Sequence, residues 1–204
     1  MKLQLAASAF ALAIALSTPA AAQADLKSAV AADYDANLEA LFQWFHQNPE
    51  LSHREFKTAE RLADEIEALG YDVTEGVGGT GVVAVMENGE GPTVMIRADM
   101  DGLPVKEDND LPYKSTATQE DIDGVVKPVM HACGHDVHIT SLVGTARQMA
   151  ARKDQWSGTL VLIGQPAEER ISGAREMMED GLYKRFPKPD VALALHVSAG
   201  TPTG

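Results

Sequence analysis

Thr159-Leu160-Val161-Leu162-Ile163-Gly164-Gln165-Pro166-Ala167-Glu168-Glu169 is an apolar run that ends in two adjacent carboxylates. A short run of Val, Leu and Ile with no polar alternation reads as a strand covered on both faces, as in sheets that carry helices on either side. Helical spacing follows over residues 172–179. Upstream, residues 138–152 place Leu142, Ala146 and Met149 on one helical face. Strand-like runs are predicted at residues 81–86, 93–98 and 191–195, and helices at 26–45 and 55–69. In the first of these helices Val30, Tyr34, Leu38, Leu41 and Phe45 point inward, and Asn48-Pro49 ends it. In the second, Leu62, Ile66 and Leu69 point inward, and Gly70 stops the helix. Strands alternating with helices predict a three-layer α/β domain with a mixed sheet. Asn88-Gly89-Glu90-Gly91 reads as a tight turn pairing 81–86 with 93–98 as a hairpin. Residues 99–129 read as a long loop, a length that usually serves function.

The chemistry-bearing residues fall at the ends of the predicted strands. Asp99 and Asp101 follow one, Glu168 and Glu169 a second, and His196 a third. In open α/β sheets ligands bind beyond the carboxyl ends of the strands, so these groups are expected to converge on one crevice. A fourth contribution is Met130-His131-Ala132-Cys133-Gly134-His135-Asp136-Val137-His138, which holds the only cysteine and three of the six histidines where a loop enters a helix. Gly134 lets the backbone bend so that Cys133 and His135 meet one site. A thiol, imidazoles and carboxylates are the donor types of transition-type metal sites. His131 and His138 are expected to support the site from behind or to cap the helix. Adjacent acids can divide the work, one binding metal and the other facing a water as general base. Asp99 and Asp101 share one side of an extended segment and either touch a metal or fix a ligand imidazole. Ser52, Ser115 and Ser172 lack a nucleophile-elbow context. Neither a P-loop nor a dinucleotide fingerprint occurs, and Gly78-Gly79-Thr80-Gly81 reads as a turn.

The remaining composition sets the context. Lys2, an apolar stretch over residues 3–16 and Ala22-Gln23-Ala24 read as a cleavable export signal. The domains are therefore expected as residues 1–24, a signal peptide, and 25–204, in the periplasm or secreted. Seventeen basic against thirty acidic residues give a formal charge of −13, one unit more negative without Lys2. Such a surface repels nucleic acid and anionic lipid, so neither nucleic acid nor membrane is an expected partner. With one cysteine there is no internal disulfide, and an exported thiol is expected to be buried or to hold a metal.

Taken in order, His46-x-x-Pro49-Glu50-Leu51-Ser52, Arg97-Ala98-Asp99-Met100-Asp101-Gly102-Leu103-Pro104, the 130–138 string, Gly164-Gln165-Pro166-Ala167-Glu168-Glu169 and Leu195-His196-Val197 resemble the M20 metallopeptidase superfamily. The resemblance is to its amidohydrolase branch of hippurate hydrolase-like and auxin-conjugate hydrolase-like enzymes. It implies that Cys133, His135, Glu169 and His196 are ligands of a centre for two divalent ions (manganese, zinc, nickel or cobalt). It implies Glu168 as the catalytic base and Asp101 as the acid that orients a ligand. The implied reaction is hydrolysis of the amide of small N-acyl amino acids or related peptide-like substrates, in homo-oligomers. The family also implies a lid or dimerisation domain after this segment, then a return carrying another ligand histidine. On that reading the chain is the N-terminal part of the catalytic domain, its fold and site incomplete without those segments or a separate C-terminal half. A sheet edge or face is then left open. The alternative reading is a truncated, non-catalytic metal-binding or assembly fragment.

Overall fold

The computed structural model describes residues 19–201. Most of the expected leader, including its apolar stretch, lies outside them, and the first described helix runs across the expected cleavage site. That helix, α1 (Pro19–Asp33), continues through a π turn (Tyr34–Leu38) into α2 (Glu39–Gln47). Leu38, Leu41 and Phe45 are buried as predicted, but Val30 and Tyr34 are half exposed. A π turn inserts one residue into the helical register, so a single apolar stripe cannot stay in phase across it. Helix α3 (Phe56–Glu67) buries Leu62 and Ile66, and Gly70 follows it at φ +85°.

Among the described residues five strands form the main sheet: β1 (Asp72–Val77), β2 (Gly81–Asn88), β3 (Thr93–Asp99), β6 (Gly158–Gln165) and β7 (Val191–Ala194), in the order β1-β2-β6-β3-β7. Pairings β1–β2 and β2–β6 are antiparallel; β6–β3 and β3–β7 are parallel. The predicted hairpin between the strands at 81–86 and 93–98 is not formed, because β6 lies between them. The turn at 89–92 instead bridges two strand widths, closed by Thr159 N–H donating to Pro92 C=O at 3.0 Å. The hairpin that does form joins β2 to the unpredicted β1 through Gly78-Gly79-Thr80. The long loop contains a small separate hairpin, β4 (Thr118–Glu120) with β5 (Val126–Pro128).

Alternation along the central strands separates two cores. Val82, Ala84, Met86, Leu160 and Leu162 face α2, α3 and α4 (His135–Ala151). Val83, Val161 and Ile163 face Met177 of α5 (Gly173–Glu179) and Leu182 of α6 (Leu182–Arg185). This is the three-layer mixed α/β architecture the sequence predicts, and it explains why β6 lacks polar alternation. The edge strand β7 is exposed, with Leu193 at 51% and Leu195 just beyond it at 73%.

The topology also locates the crevice. From β3 the chain leaves through α4 on one face and returns in β6; from β6 it leaves through α5 and α6 on the other face and returns in β7. Adjacent parallel strands whose connections depart to opposite faces open a gap at their carboxyl ends, where such folds bind ligands.

Candidate metal centre

All four predicted contributions meet at that gap. Gly134, at φ +79°, caps α4 between Cys133 and His135. A Cβ on Gly134 would lie 2.4 Å from a methyl of Val197, so the close passage of the segment after β7 also requires glycine. Beyond β6, Ala167 adopts φ +47° and turns the chain so that Glu168 and Glu169 face the gap. Register pairs Asp99 with Gln165 and Arg97 with Ala194, so the three strand ends lie side by side.

His135 is the hub. Its ring is fully buried, and Nδ1 lies 2.8 Å from the Asp101 carbonyl oxygen. Nδ1–H donates there, which leaves the Nε2 lone pair directed into the gap. Among the described residues that Nε2 has no hydrogen-bond partner, and neither has the buried Oε1 of Glu169, 3.8 Å away. Buried polar atoms are ordinarily satisfied, so two facing acceptors without a donor make a site for a cation. Cys133 Sγ is 3.5 Å from Nε2 of His196. Donor atoms of Cys133, His135 and Glu169 all lie within 4.8 Å of one another, as do those of Asp99, His135, His138 and His196. His196 Nδ1 contacts the Val197 carbonyl at 2.6 Å, which leaves its Nε2 for the gap.

Electrostatics fit the same use. Burial, with the carboxylates of Glu169, Glu168 and Asp99, pushes the Cys133 thiol up to about 11. Burial raises Glu169 as well, against the pull of His135 and with the push of Asp101 and Glu168. These acceptor-rich surroundings disfavour further negative charge until a cation is bound. Burial would lower His135, but hydrogen bonding to Asp101 and the charges of Asp99 and Asp101 raise it. Asp99 is held at about 2: burial opposes ionisation, while His138, His135 and Arg97 favour it.

The supporting residues have separate tasks. Asp99 accepts from Arg97 at 2.9 Å and from His138 Nδ1–H at 2.5 Å, while His138 Nε2 accepts the Val197 N–H at 2.9 Å. With both ring nitrogens engaged, His138 braces the segment carrying His196. Asp101, 1% exposed, accepts from Ser52 Oγ at 2.6 Å and from the N–H groups of Glu168 and Glu169 at 3.1 and 3.0 Å. Its carboxylate is 3.4 Å from His135 Nδ1. Asp99 and Asp101 thus flank one imidazole, as their period-two spacing suggests. His131 is buried with both ring nitrogens unpartnered among the described residues, and burial lowers it to about 4, a neutral ring.

Three contributors were not legible as site residues. Ser52 anchors Asp101. Buried Glu55 accepts the Ala167 N–H at 2.7 Å and Thr80 Oγ1–H at 2.6 Å, fixing the turn before Glu168. Asp121 pairs with Arg170 at 2.7 Å, tying the small hairpin to the loop after Glu169. Only Ser52 had a sequence signal, its place in the 46–52 block.

The build is therefore an α/β domain that gathers a thiol, imidazoles and carboxylates beyond its parallel strand ends. The chain belongs to the peptidase family M20/M25/M40, whose family model matches residues 95–204. It is 43% identical over 163 residues to thermostable carboxypeptidase 2 of Saccharolobus solfataricus, covering 78% of this chain and 38% of that protein. It is 42% identical over 155 residues to hippurate hydrolase of Campylobacter jejuni, covering 76% of this chain and 38% of the relative. Among solved structures, the Bacillus subtilis YXEP protein, described as a dinuclear metal-binding peptidase of the M20 family, superposes with a TM-score of 0.72 at 32% identity. That match covers 83% of this chain and 45% of the other. The chain spans less than half the length of these relatives.

Proposed function

We propose that residues 25–204 form the N-terminal part of the catalytic domain of an exported, metal-dependent amidohydrolase acting on small N-acyl amino acids. The observation that carries the reading is the pair of buried, unpartnered acceptors, His135 Nε2 and Glu169 Oε1, beside Cys133 and His196. In this reading Cys133, His135, Glu169 and His196 hold two divalent ions. When bound, such ions polarise a carbonyl and lower the pKa of a water. A thiolate among the donors favours zinc or another thiophilic late metal over magnesium or calcium.

The chain's own residues supply the proton path. Glu168 is more exposed than Glu169, with 36% against 19% of the side chain accessible, and its Oε2 is 3.8 Å from His135 Nε2. It is placed to take a proton from the attacking water and deliver it to the leaving amine. Asp101 does not touch the substrate; it holds His135 and the backbone of both glutamates in place. The name of the Campylobacter relative supports an N-acyl amino acid, and that of the Saccharolobus relative supports release of an amino acid with a free carboxylate. Completion by the distal segment and homo-oligomerisation belong to the same proposal.

The test is hydrolysis of a panel of N-benzoyl, N-acetyl and longer N-acyl amino acids with zinc or manganese, by the chain alone and with a separately produced C-terminal half. Glu168→Gln should lower turnover by about 10²–10⁴-fold, the range for a positioned general base, at unchanged metal content. Full activity in that variant removes the assigned base. Tight metal binding with no turnover in any combination favours the non-catalytic fragment instead. Amino-terminal sequencing of exported protein tests cleavage after Ala24.

A further inference from the structure

His46, from the first block of the sequence, lies on the last turn of α2. Its Nδ1 is 2.6 Å from Asp136 Oδ2 and its Nε2 is 3.0 Å from Glu107 Oε1. A neutral imidazole has one N–H and can donate to only one of these carboxylates; the imidazolium donates to both. Glu107 is 5% exposed and Asp136 2%, so each would otherwise be a buried charge without a cation. Burial alone would lower the pKa of His46, yet the hydrogen bonds and charges of Asp136 and Glu107 raise it.

The two carboxylates belong to different segments. Glu107 organises the loop after β3: its oxygens also accept Asn109 Nδ2 and the Ser115 N–H, each at 2.6 Å. From the same loop Tyr113 packs edge-on against His46, with ring centroids 5.4 Å apart, and Phe42 packs on both rings. Asp136 is the residue after His135 in the first turn of α4, and its Oδ1 accepts the Val137 N–H at 2.9 Å. The ring therefore joins α2, the loop over residues 103–117 and the turn that presents His135.

We propose that His46 is a positioning residue for the metal centre: by bridging Glu107 and Asp136 it ties the 103–117 loop to the first turn of α4 and so sets the angle of His135. The inference rests on the proposed metal-centre reading only for the use made of His135. The bridge between loop and helix stands on its own geometry.

The experiment is a double-mutant cycle on the 204-residue chain, with zinc affinity measured against a competing chromophoric chelator. His46→Phe keeps the ring packed between Phe42 and Tyr113 but removes both N–H donors. It should weaken zinc binding about tenfold, the lower end for residues that orient metal ligands. Glu107→Gln should weaken binding several-fold alone, and the double variant should lose clearly less than the two single losses combined, because neighbouring groups acting through one another are not additive. Zinc affinity unchanged in His46→Phe, or additive effects, would overturn the proposal. If His46→Phe does not fold, Glu107→Gln decides alone. A several-fold loss of affinity with faster hydrogen exchange in both 103–117 and the first turn of α4 supports the bridge; wild-type affinity overturns it. If the wild-type chain binds no zinc, the metal-centre reading fails. Hydrogen exchange then still tests the bridge, because Glu107→Gln should deprotect the first turn of α4, and an unchanged turn overturns it.

Discussion

Asp101→Asn is the sharpest probe of how the site is held. The wild-type carboxylate accepts from Ser52 and from the backbone N–H groups of Glu168 and Glu169 while lying 3.4 Å from His135 Nδ1. Burial works against its ionisation, but His135, Ser52 and the Glu169 N–H lower its pKa, so it is charged at neutral pH. Asparagine keeps the shape and loses the charge. In either orientation of the amide, its NH₂ group faces a backbone N–H, because Oδ1 serves Glu168 and Oδ2 serves Glu169. One partly buried N–H is left unsatisfied, at about 1–3 kcal/mol, and the remaining bonds lose their charge assistance. A total of about 3 kcal/mol in a domain of this size lowers Tm by roughly 6–12 °C. Zinc affinity should fall about 10–100-fold, because His135 and Glu169 lose the group that orients them. Thermal melts with and without zinc, and a zinc titration, provide the assay. A variant that melts within about 2 °C of the parent and binds zinc equally well would refute the assignment of Asp101 as the organiser of the centre.

Gly134→Ala places a side chain at φ +79° and against Val197, so it should cost about 1–2 kcal/mol from the backbone alone and weaken zinc binding through Cys133 and His135. Unchanged stability to urea would show that the turn tolerates a Cβ. His46 should give stability a pH dependence of known sign. Its folded pKa lies above the ordinary 6.5, so its contribution is complete below that value and disappears as pH rises through the folded pKa. Urea midpoints measured at about pH 6 and pH 9 should therefore fall more in wild type than in His46→Phe; equal falls would exclude the imidazolium.

The sequence carried the architecture wherever local pattern and environment agree. The unbroken apolar run of β6 reports two covered faces, and acids or histidine after β3, β6 and β7 report a shared crevice because parallel strands bring those ends together. Strand order was hidden. Asn88-Gly89-Glu90-Gly91 has the chemistry of a hairpin turn, and nothing local reveals that β6, some seventy residues on, separates β2 from β3. The phase of the first helix failed at its π turn, which no residue between Tyr34 and Leu38 announces. Glu55 looks like a surface acid before a helix; only the fold shows it buried against the Ala167 N–H. Cys133 and His135 could be read from type and spacing, whereas the groups that aim them come from distant segments.

The most direct measurement is zinc K-edge X-ray absorption on the zinc-loaded chain and on Cys133→Ala. Sulfur, nitrogen and oxygen donors predict a sulfur shell at about 2.3 Å together with a shorter nitrogen/oxygen shell at about 2.0–2.2 Å, the sulfur shell disappearing in Cys133→Ala. A chain that binds no zinc, or a zinc environment of nitrogen and oxygen alone that the substitution leaves unchanged, would contradict a centre built from Cys133, His135, Glu169 and His196.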